Sequence, residues 1–541
     1  MDRRKCFSYL LLIIALAAFF RLWDLGVNPP SLFRDEAEKG YSAYSIARTG
    51  GYFYFGDIGG RTELLFDKWP LFTNVFGVHT SAIYQYLDAP FVGIFGLNEI
   101  TIRLPAALAG IATVLLTFYL ALAWTDDRMA ALLSAFLVAI SPWHILFSRW
   151  ALQGIFLPLL IPAGLLAFNK GIGKKPVFLL LSGWLFGLAF YSYAVGRLFI
   201  PVFLVCLFFI YRKEIIQKPK WCAGAAAVFL AIALPTFIYY ITGGRSARFG
   251  SLSVFGGDRS FLEGFIQFVR NYIAHYRPKF LFFAGDENPR HSLPIMGQMY
   301  FFEAPLLLYG LWLTVRRGKK HHKLLLAWFF TFPVSAAMTT EGIPHALRSI
   351  TALPMVHIIT GLAAANLVSK ILIRPRKVKE ADEKKWNKGQ SLQIVAFLAI
   401  LIIFLNVVRM GLYLFREYPA ETAKSWQYGI KDALKIVESE GADPADIYIS
   451  GSIPYAPYLV MVYEKTNPES IKKKGSEALG YQFLPPVISL EDTWARLPED
   501  SWLITRAFSH PVVPPAFFIY YSRRDSGLEP IVPLYQVYHK K

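Results

Sequence analysis

Apolar and polar positions in this chain fall into long blocks. Eleven segments are strongly apolar and almost free of charge: 6–22, 104–124, 129–147, 154–169, 177–194, 198–211, 221–241, 299–314, 324–338, 347–369 and 391–411. Each approaches the length a helix needs to cross a bilayer, about 20 residues. Short polar turns join most of them. Two connections are long, 24–102 and 242–298, and a tail of mixed character covers 412–541. The pattern predicts an all-α polytopic membrane domain over 1–411 and a soluble α/β domain over 412–541.

Charge orients these segments. The strongly basic turns contain Lys170, Lys174 and Lys175, then Arg212, Lys213, Lys218 and Lys220, then Arg316, Arg317, Lys319, Lys320 and Lys323. The last contains Arg374, Arg376, Lys377, Lys384 and Lys385. All fall on the side where Arg3, Arg4 and Lys5 precede the first segment, which is the cytoplasmic side by the positive-inside rule. Both long loops and the tail then face the extracytoplasmic side of a cell membrane. The first apolar run continues into Arg21-Leu22-Trp23 and not a small-residue cleavage site, so it reads as a retained signal anchor.

Shorter periodicities add detail. Tyr41, Tyr44, Ser45 and Arg48 share a helical face and predict a helix from Glu38 to Arg48, stopped by Gly50-Gly51. A second amphipathic stretch runs from Thr80 to Phe95. Both are expected to lie at the membrane interface. In the tail, Thr422 to Glu440 predicts a helix ended by Gly441. Ile447–Ser450, Trp502–Thr505 and 531–538 read as strands.

Composition narrows the function classes. Of 541 residues, 55% are hydrophobic and 17% charged, below the quarter typical of soluble domains. The net charge of +18 does not point to nucleic acid, because the cations sit in the short inner turns. Cys6, Cys206 and Cys222 lie in or beside apolar runs with no metal-binding spacing.

Charge on the outer face is the exception that calls for a reason. Phe33-Arg34-Asp35-Glu36-Ala37-Glu38 follows the first segment directly. Acidic residues there suit a helix N-terminus. Two carboxylates beside an aromatic, membrane-facing loop also suit a base of tuned pKa, with Asp35 the candidate base and Glu36 its neighbour. Outer cations are Lys68, Arg103, Arg149, Arg197, His345 and Arg348. Arg149 and Arg197 sit where positive-inside disfavours them, and His345 and Arg348 share one helical face. The turn Gly285-Asp286-Glu287-Asn288-Pro289-Arg290-His291 lacks calcium-loop spacing. Asp286, Arg290 and His291 are candidates for sugar or acceptor recognition.

An ordered set of motifs carries a resemblance. Asp35-Glu36-Ala37, Lys68-Trp69-Pro70-Leu71, Phe95-Gly96-Leu97-Asn98-Glu99 and Arg103-Leu104-Pro105 follow one another at spacings that resemble the GT-C membrane glycosyltransferases. The likeness is to the protein O-mannosyltransferase and aminoarabinose (lipid A) transferase families, strongest over 20–150. It implies a polyprenyl-phosphate sugar as donor and a protein, lipid or glycan as acceptor. It also implies Asp35 as base and a basic residue near the lipid phosphate at Lys68, with Arg103, Arg149, Arg197, His345 and Arg348 as further candidates for contact with the donor phosphate. The family's arginine ahead of a proline matches Arg348 and Pro354. Two departures stand out: Gln153 replaces an acid common in relatives, and Trp69-Pro70 replaces a proline pair. The Trp-Trp-Asp signature of metal-dependent oligosaccharyltransferases is absent, so neither metal nor cofactor is expected. A transporter or flippase is the competing class, and a non-catalytic envelope-assembly protein a third. Charge concentrated on one face, not paired near mid-membrane, weighs against transport.

Overall fold

The computed structural model describes residues 2–58, 61–75, 78–241, 252–373, 388–485, 489–507, 515–520 and 534–540. Arg374, Arg376, Lys377, Lys384 and Lys385, and the 242–251 part of the second long loop, lie outside the described residues. The chain divides into two compact units: 1–23, 107–148 and 153–413 form one, and 24–106, 149–152 and 414–541 the other.

In the first unit, helix occupies each of the eleven apolar segments. Among the described residues, seven helices are long and apolar enough to cross a membrane: Arg3–Leu22, Glu99–Thr125, Gln153–Ile172, Ala194–Ile216, Pro219–Tyr239, Ile350–Lys370 and Ile394–Thr422. Shorter apolar helices cover Arg128–Ile140 and Phe178–Ser192. The count falls below eleven partly because segments are broken. The 129–147 segment stops at Ser141, where Pro142 starts the helix Pro142–Phe147, and the 324–338 segment stops at Phe332-Pro333. Proline has no N–H for the preceding turn, so each break is local chemistry.

Small residues and buried polar groups hold this bundle together. Gly183 lies against the backbone oxygen of Ala225, and Gly310 against that of Ile359, with no room for a Cβ at either place. Such close approach is how helices associate where burial from water offers little. The fully buried Arg21 donates to the carbonyls of Val138 and Ala139, each at 3.0 Å, and meets His144 Nδ1 at 2.8 Å. These carbonyls end the helix Arg128–Ile140 and have no partner within it. Glu303 and His357, both inaccessible, pair at 2.9 Å.

The second long loop contains an element the sequence pattern did not announce. Ser260 and Glu263 form a reciprocal cap for the helix Phe261–Ala274. Phe261, Leu262 and Ile273 of that helix are exposed while Asn271 and Ala274 are buried. An apolar outer stripe of this kind suits the membrane interface.

In the second unit the first-loop helix runs Arg34–Thr49 and stops at Gly50, whose φ of 72° is unstrained only for glycine. It is buried along Glu36–Ala43, so it is a core helix and not the interfacial one expected. Two hairpins follow that were not anticipated, Gly51–Ile58 with Arg61–Lys68 and Phe72–Val75 with Val78–Ser81. The helix Ile83–Phe95 closes the loop.

The tail forms a mixed five-stranded sheet in the order 482–484, 447–450, 502–506, 535–539, 517–519. The 447–450 strand pairs in parallel with both neighbours, and the remaining pairs are antiparallel. Of the expected 422–440 helix, only Ile430–Ser439 forms its main body. Gln427 at φ 54° and Gly429 at φ 117° break it. The tail does not stand apart from the first loop. Tyr41 donates to the Thr466 carbonyl at 2.9 Å and Tyr458 to that of Phe53 at 3.3 Å.

Candidate active site

The three carboxylates after Phe33 sit in three different environments. Glu36 is inaccessible. It accepts hydrogen bonds from the backbone of Phe33 (3.0 Å) and Ala151 (3.0 Å), and from Arg103 Nε (2.9 Å) and Nη2 (3.2 Å). Glu38 is buried too, accepting from Ser42 (3.2 Å) and Gln85 (3.3 Å) with Lys39 Nζ at 3.5 Å. Burial raises the Glu38 pKa above the usual carboxylate range; nearby Lys39 opposes this and Asp35 adds to it. Asp35 differs from both: 39% of its side chain is exposed, and its ion-pair contact is with Arg34 at 3.7 Å. A carboxylate on the first turn of a rigid helix, open on one side, is the geometry a proton acceptor needs.

Arg103 is the keystone of this segment. Nε and Nη2 hold Glu36, Nη1 donates to the carbonyls of Leu25 (3.0 Å) and Pro29 (2.9 Å), and Nη2 also donates to that of Ser31 (2.6 Å). A guanidinium has five N–H donors, and here all five are used. The expected phosphate contact by Arg103 is therefore not what this geometry offers. The same bonds commit the Glu36 carboxylate to the scaffold instead of to proton transfer.

The tail supplies the other side of the frame. Gln427 accepts from the Arg34 amide at 2.9 Å and donates to the Pro454 carbonyl at 3.0 Å. The Phe33 ring meets Trp150 and Trp426 edge-on at 6.3 and 6.4 Å, and those two indoles meet each other at 5.2 Å. Tyr463 bonds to Ser31 at 3.0 Å. Arg34 lies over the Tyr455 ring at 5.1 Å. Gln427, Trp426 and Tyr463 were not singled out from the sequence. Trp426 and Gln427 lie where positive φ at Gln427 and Gly429 breaks an otherwise periodic stretch, and Tyr463 ends the helix Ala456–Tyr463; hydrophobic periodicity marks none of the three.

Arg149 is also brought to this segment. It is fully buried, donates to the Asn28 carbonyl at 2.8 Å and lies over Phe415 at 5.3 Å. Burial and the charge of Arg103 lower its pKa to about 9, so it stays cationic at neutral pH. Lys68 is not brought near. It pairs in register with Gly51, beyond the C-terminal end of the helix that carries Asp35 at its start. At 1.5 Å per residue this 16-residue helix is about 24 Å long, further than a lysine side chain reaches.

The remaining expected residues lie in the first unit. Arg197 is half-buried near the start of the helix Ala194–Ile216. Arg348 donates to Thr339 Oγ1 (2.7 Å) and the Glu341 carbonyl (2.8 Å). Asp286 Oδ2 accepts from the Ala346 amide at 2.8 Å and meets His291 Nδ1 at 3.2 Å, with His345 Nδ1 at 3.8 Å. Arg290 is half-buried in the same turn. Burial holds His345 well below the usual histidine pKa, assisted by His291, Arg348 and His275.

Comparison with known proteins places this architecture. The family model for dolichyl-phosphate-mannose-protein mannosyltransferases matches residues 79–239. ArnT from Cupriavidus metallidurans, in a structure bound to undecaprenyl phosphate, superposes with a TM-score of 0.54 over 99% of this chain and 98% of that one, at 12% identity. The chain has the GT-C glycosyltransferase fold. The chain also matches the apo oligosaccharyltransferase of Archaeoglobus fulgidus, with a TM-score of 0.52 over 93% of this chain and 70% of that one, at 14% identity. Among curated proteins, an uncharacterized protein of Aquifex aeolicus is 28% identical over 243 residues. That alignment spans 44% of this chain and less than half, 43%, of the relative.

Proposed function

We propose that this GT-C protein is an inverting glycosyltransferase with a polyprenyl-phosphate-linked sugar as donor and an acceptor on the extracytoplasmic face of a cell membrane. The observation that carries the proposal is the sorting of the first-loop acids. Glu36 is consumed by Arg103 and two amides, Glu38 is buried, and Asp35 alone of the three is open to a substrate. Asp35 takes the proton from an acceptor hydroxyl as its oxygen bonds to the anomeric carbon. The bond from that carbon to the phosphate oxygen breaks in the same step, and polyprenyl phosphate leaves with the electron pair. A phosphate leaves without a dedicated acid, so the site has to stabilise negative charge; of the two fully buried arginines of this segment, Arg103 is committed to Glu36 and three carbonyls, and Arg149 is assigned this role. Glu36 and Arg103 act as positioning residues that hold the Asp35 turn. The acceptor is a protein, lipid or glycan hydroxyl, and the sugar a hexose or pentose.

The test is transfer of labelled sugar from a short-chain polyprenyl-phosphate donor by purified full-length protein, with the anomeric configuration of the product assigned by NMR. Asp35→Asn is expected to lower kcat about 10²–10⁴-fold, the usual contribution of a general base. Its side chain carries no buried bond, so the variant keeps the fold. Parent-like transfer by Asp35→Asn, or a product with retained configuration, refutes the assignment.

A further inference from the structure

We propose that Asp286, His291 and His345 form a binding site for a divalent transition-metal ion of the zinc type. The three come from two separate stretches of the first unit. In the first, the Asp286 carboxylate is held by the Asn288 amide at 2.9 Å, and the Ser292 hydroxyl donates to the Asp286 carbonyl at 2.8 Å. The His291 amide donates to the Asn288 carbonyl at 2.8 Å, which closes the turn and curls His291 back over the carboxylate. In the second stretch, the Ala346 amide donates to Asp286 Oδ2 at 2.8 Å, which brings His345 beside it. The His345 amide in turn donates to His275 Nε2 at 3.1 Å, so the backbone that carries the ring is anchored.

The donor atoms match the geometry of a metal. Asp286 Oδ2, His291 Nδ1 and His345 Nδ1 have Oδ2–N separations of 3.2 and 3.8 Å, and one ligand atom from each residue lies within 4.8 Å of the others. Bonds of about 2.0–2.1 Å in a tetrahedral site set neighbouring donors about 3.3 Å apart, and both Oδ2–N separations lie within about half an ångström of that spacing. The rings already face each other at 4.7 Å between centroids. Side-chain exposures of 4, 10 and 12% keep bulk water away from the three donors; a water molecule or an anionic ligand would supply the fourth donor of a tetrahedral ion. Two imidazoles and one carboxylate favour zinc and similar borderline ions over magnesium or calcium, which prefer oxygen. Binding places the His291 proton on Nε2, and metal bonds replace the Nδ1···Oδ2 contact of His291 and the long, 3.4 Å bond from the Arg348 amide to His345 Nδ1. The ion would tie the second long loop to the segment that opens the helix Met355–Ile373. The spacing of 5 and 54 residues between the ligands is why no sequence motif announced it.

The test uses full-length protein in detergent micelles, purified through a tag without histidine, stripped with EDTA, incubated with zinc and dialysed. Metal analysis is expected to find about one zinc per chain. His291→Gln and His345→Gln are each expected to retain less than about a fifth of that. His321→Ala/His322→Ala, at an adjacent histidine pair elsewhere in the unit, is expected to keep the parent stoichiometry. X-ray absorption on the parent protein needs no variant, and should show nitrogen and oxygen ligands with two imidazoles and no sulfur. A parent that retains no zinc, ligand variants that keep the parent stoichiometry, loss of zinc in the His321/His322 variant, or sulfur in the coordination shell would each overturn the proposal. None of these measurements involves sugar transfer, so the result stands apart from the proposed enzymatic activity.

Discussion

Arg103→Ala separates two roles that an arginine on this loop could have. In the structure its five donors go to Glu36 and to the carbonyls of Leu25, Pro29 and Ser31. Without it, Glu36 keeps the amides of Phe33 and Ala151 but remains a buried carboxylate with no cation bonded to it. Removing one partner of a buried ion pair costs about 3–5 kcal/mol, because the other charge stays desolvated. Each tenfold change in an equilibrium constant is about 1.4 kcal/mol, so the Phe33, Arg34 and Ala151 amides should lose about two to four orders of magnitude of exchange protection. Hydrogen exchange followed by mass spectrometry on the full-length protein reads this directly, with peptides covering 24–38 and 149–152. Arg103→Lys keeps the charge but offers three donors, and falls between parent and alanine. If Arg103→Ala leaves protection unchanged and weakens donor binding alone, Arg103 is a phosphate ligand and the scaffold argument is refuted.

Three further outcomes follow from other contacts. Gln427→Leu removes the bond to the Arg34 amide that ties the tail to the Asp35 turn, together with the bond to the Pro454 carbonyl that holds Gln427 in place; kcat for transfer should fall at least tenfold with KM little changed, and Gln427→Glu should recover part of it by still accepting from the Arg34 amide. Glu38 has its folded pKa raised by burial, so its favourable contribution is complete below the unfolded value near 4.5 and is lost as pH rises through the folded value. Glu38→Gln should therefore raise the thermal midpoint at neutral pH, with the gain shrinking toward pH 4 in a pH series of melting curves. Gly183→Val pushes a side chain into the Ala225 backbone and should destabilise the bundle by about 1–3 kcal/mol, seen as a lower unfolding midpoint in micelles.

The apolar blocks made the helical part of this molecule legible. Transmembrane segments must satisfy their own backbone groups, so helix follows from hydropathy with little help from context. The exceptions lie where tertiary contacts outweigh local pattern. The expected interfacial helix after Asp35 became a core helix because the hairpins and the tail pack around it. The expected 422–440 helix broke so that Gln427 could cap the Arg34 amide. The two first-loop hairpins, spanning 51–68 and 72–81, went unread because aromatic and polar residues there follow no clean alternation.

For the candidate site, the sequence by itself determined the residue type and place of Asp35: an acid in the first turn of an outer helix, amid motifs that resemble one glycosyltransferase superfamily. Folding decided what each neighbouring charge does. Identity and spacing cannot show that Glu36 is saturated by Arg103 or that Glu38 is buried. Nor can they show that a helix about 24 Å long separates Lys68 from Asp35. The fold also gathered Asp286, His291 and His345 from two distant stretches. The physical reason is the same in each case. Hydropathy is summed along the chain, whereas the free energy of a charge depends on the few atoms around it, and those come from wherever the fold brings them.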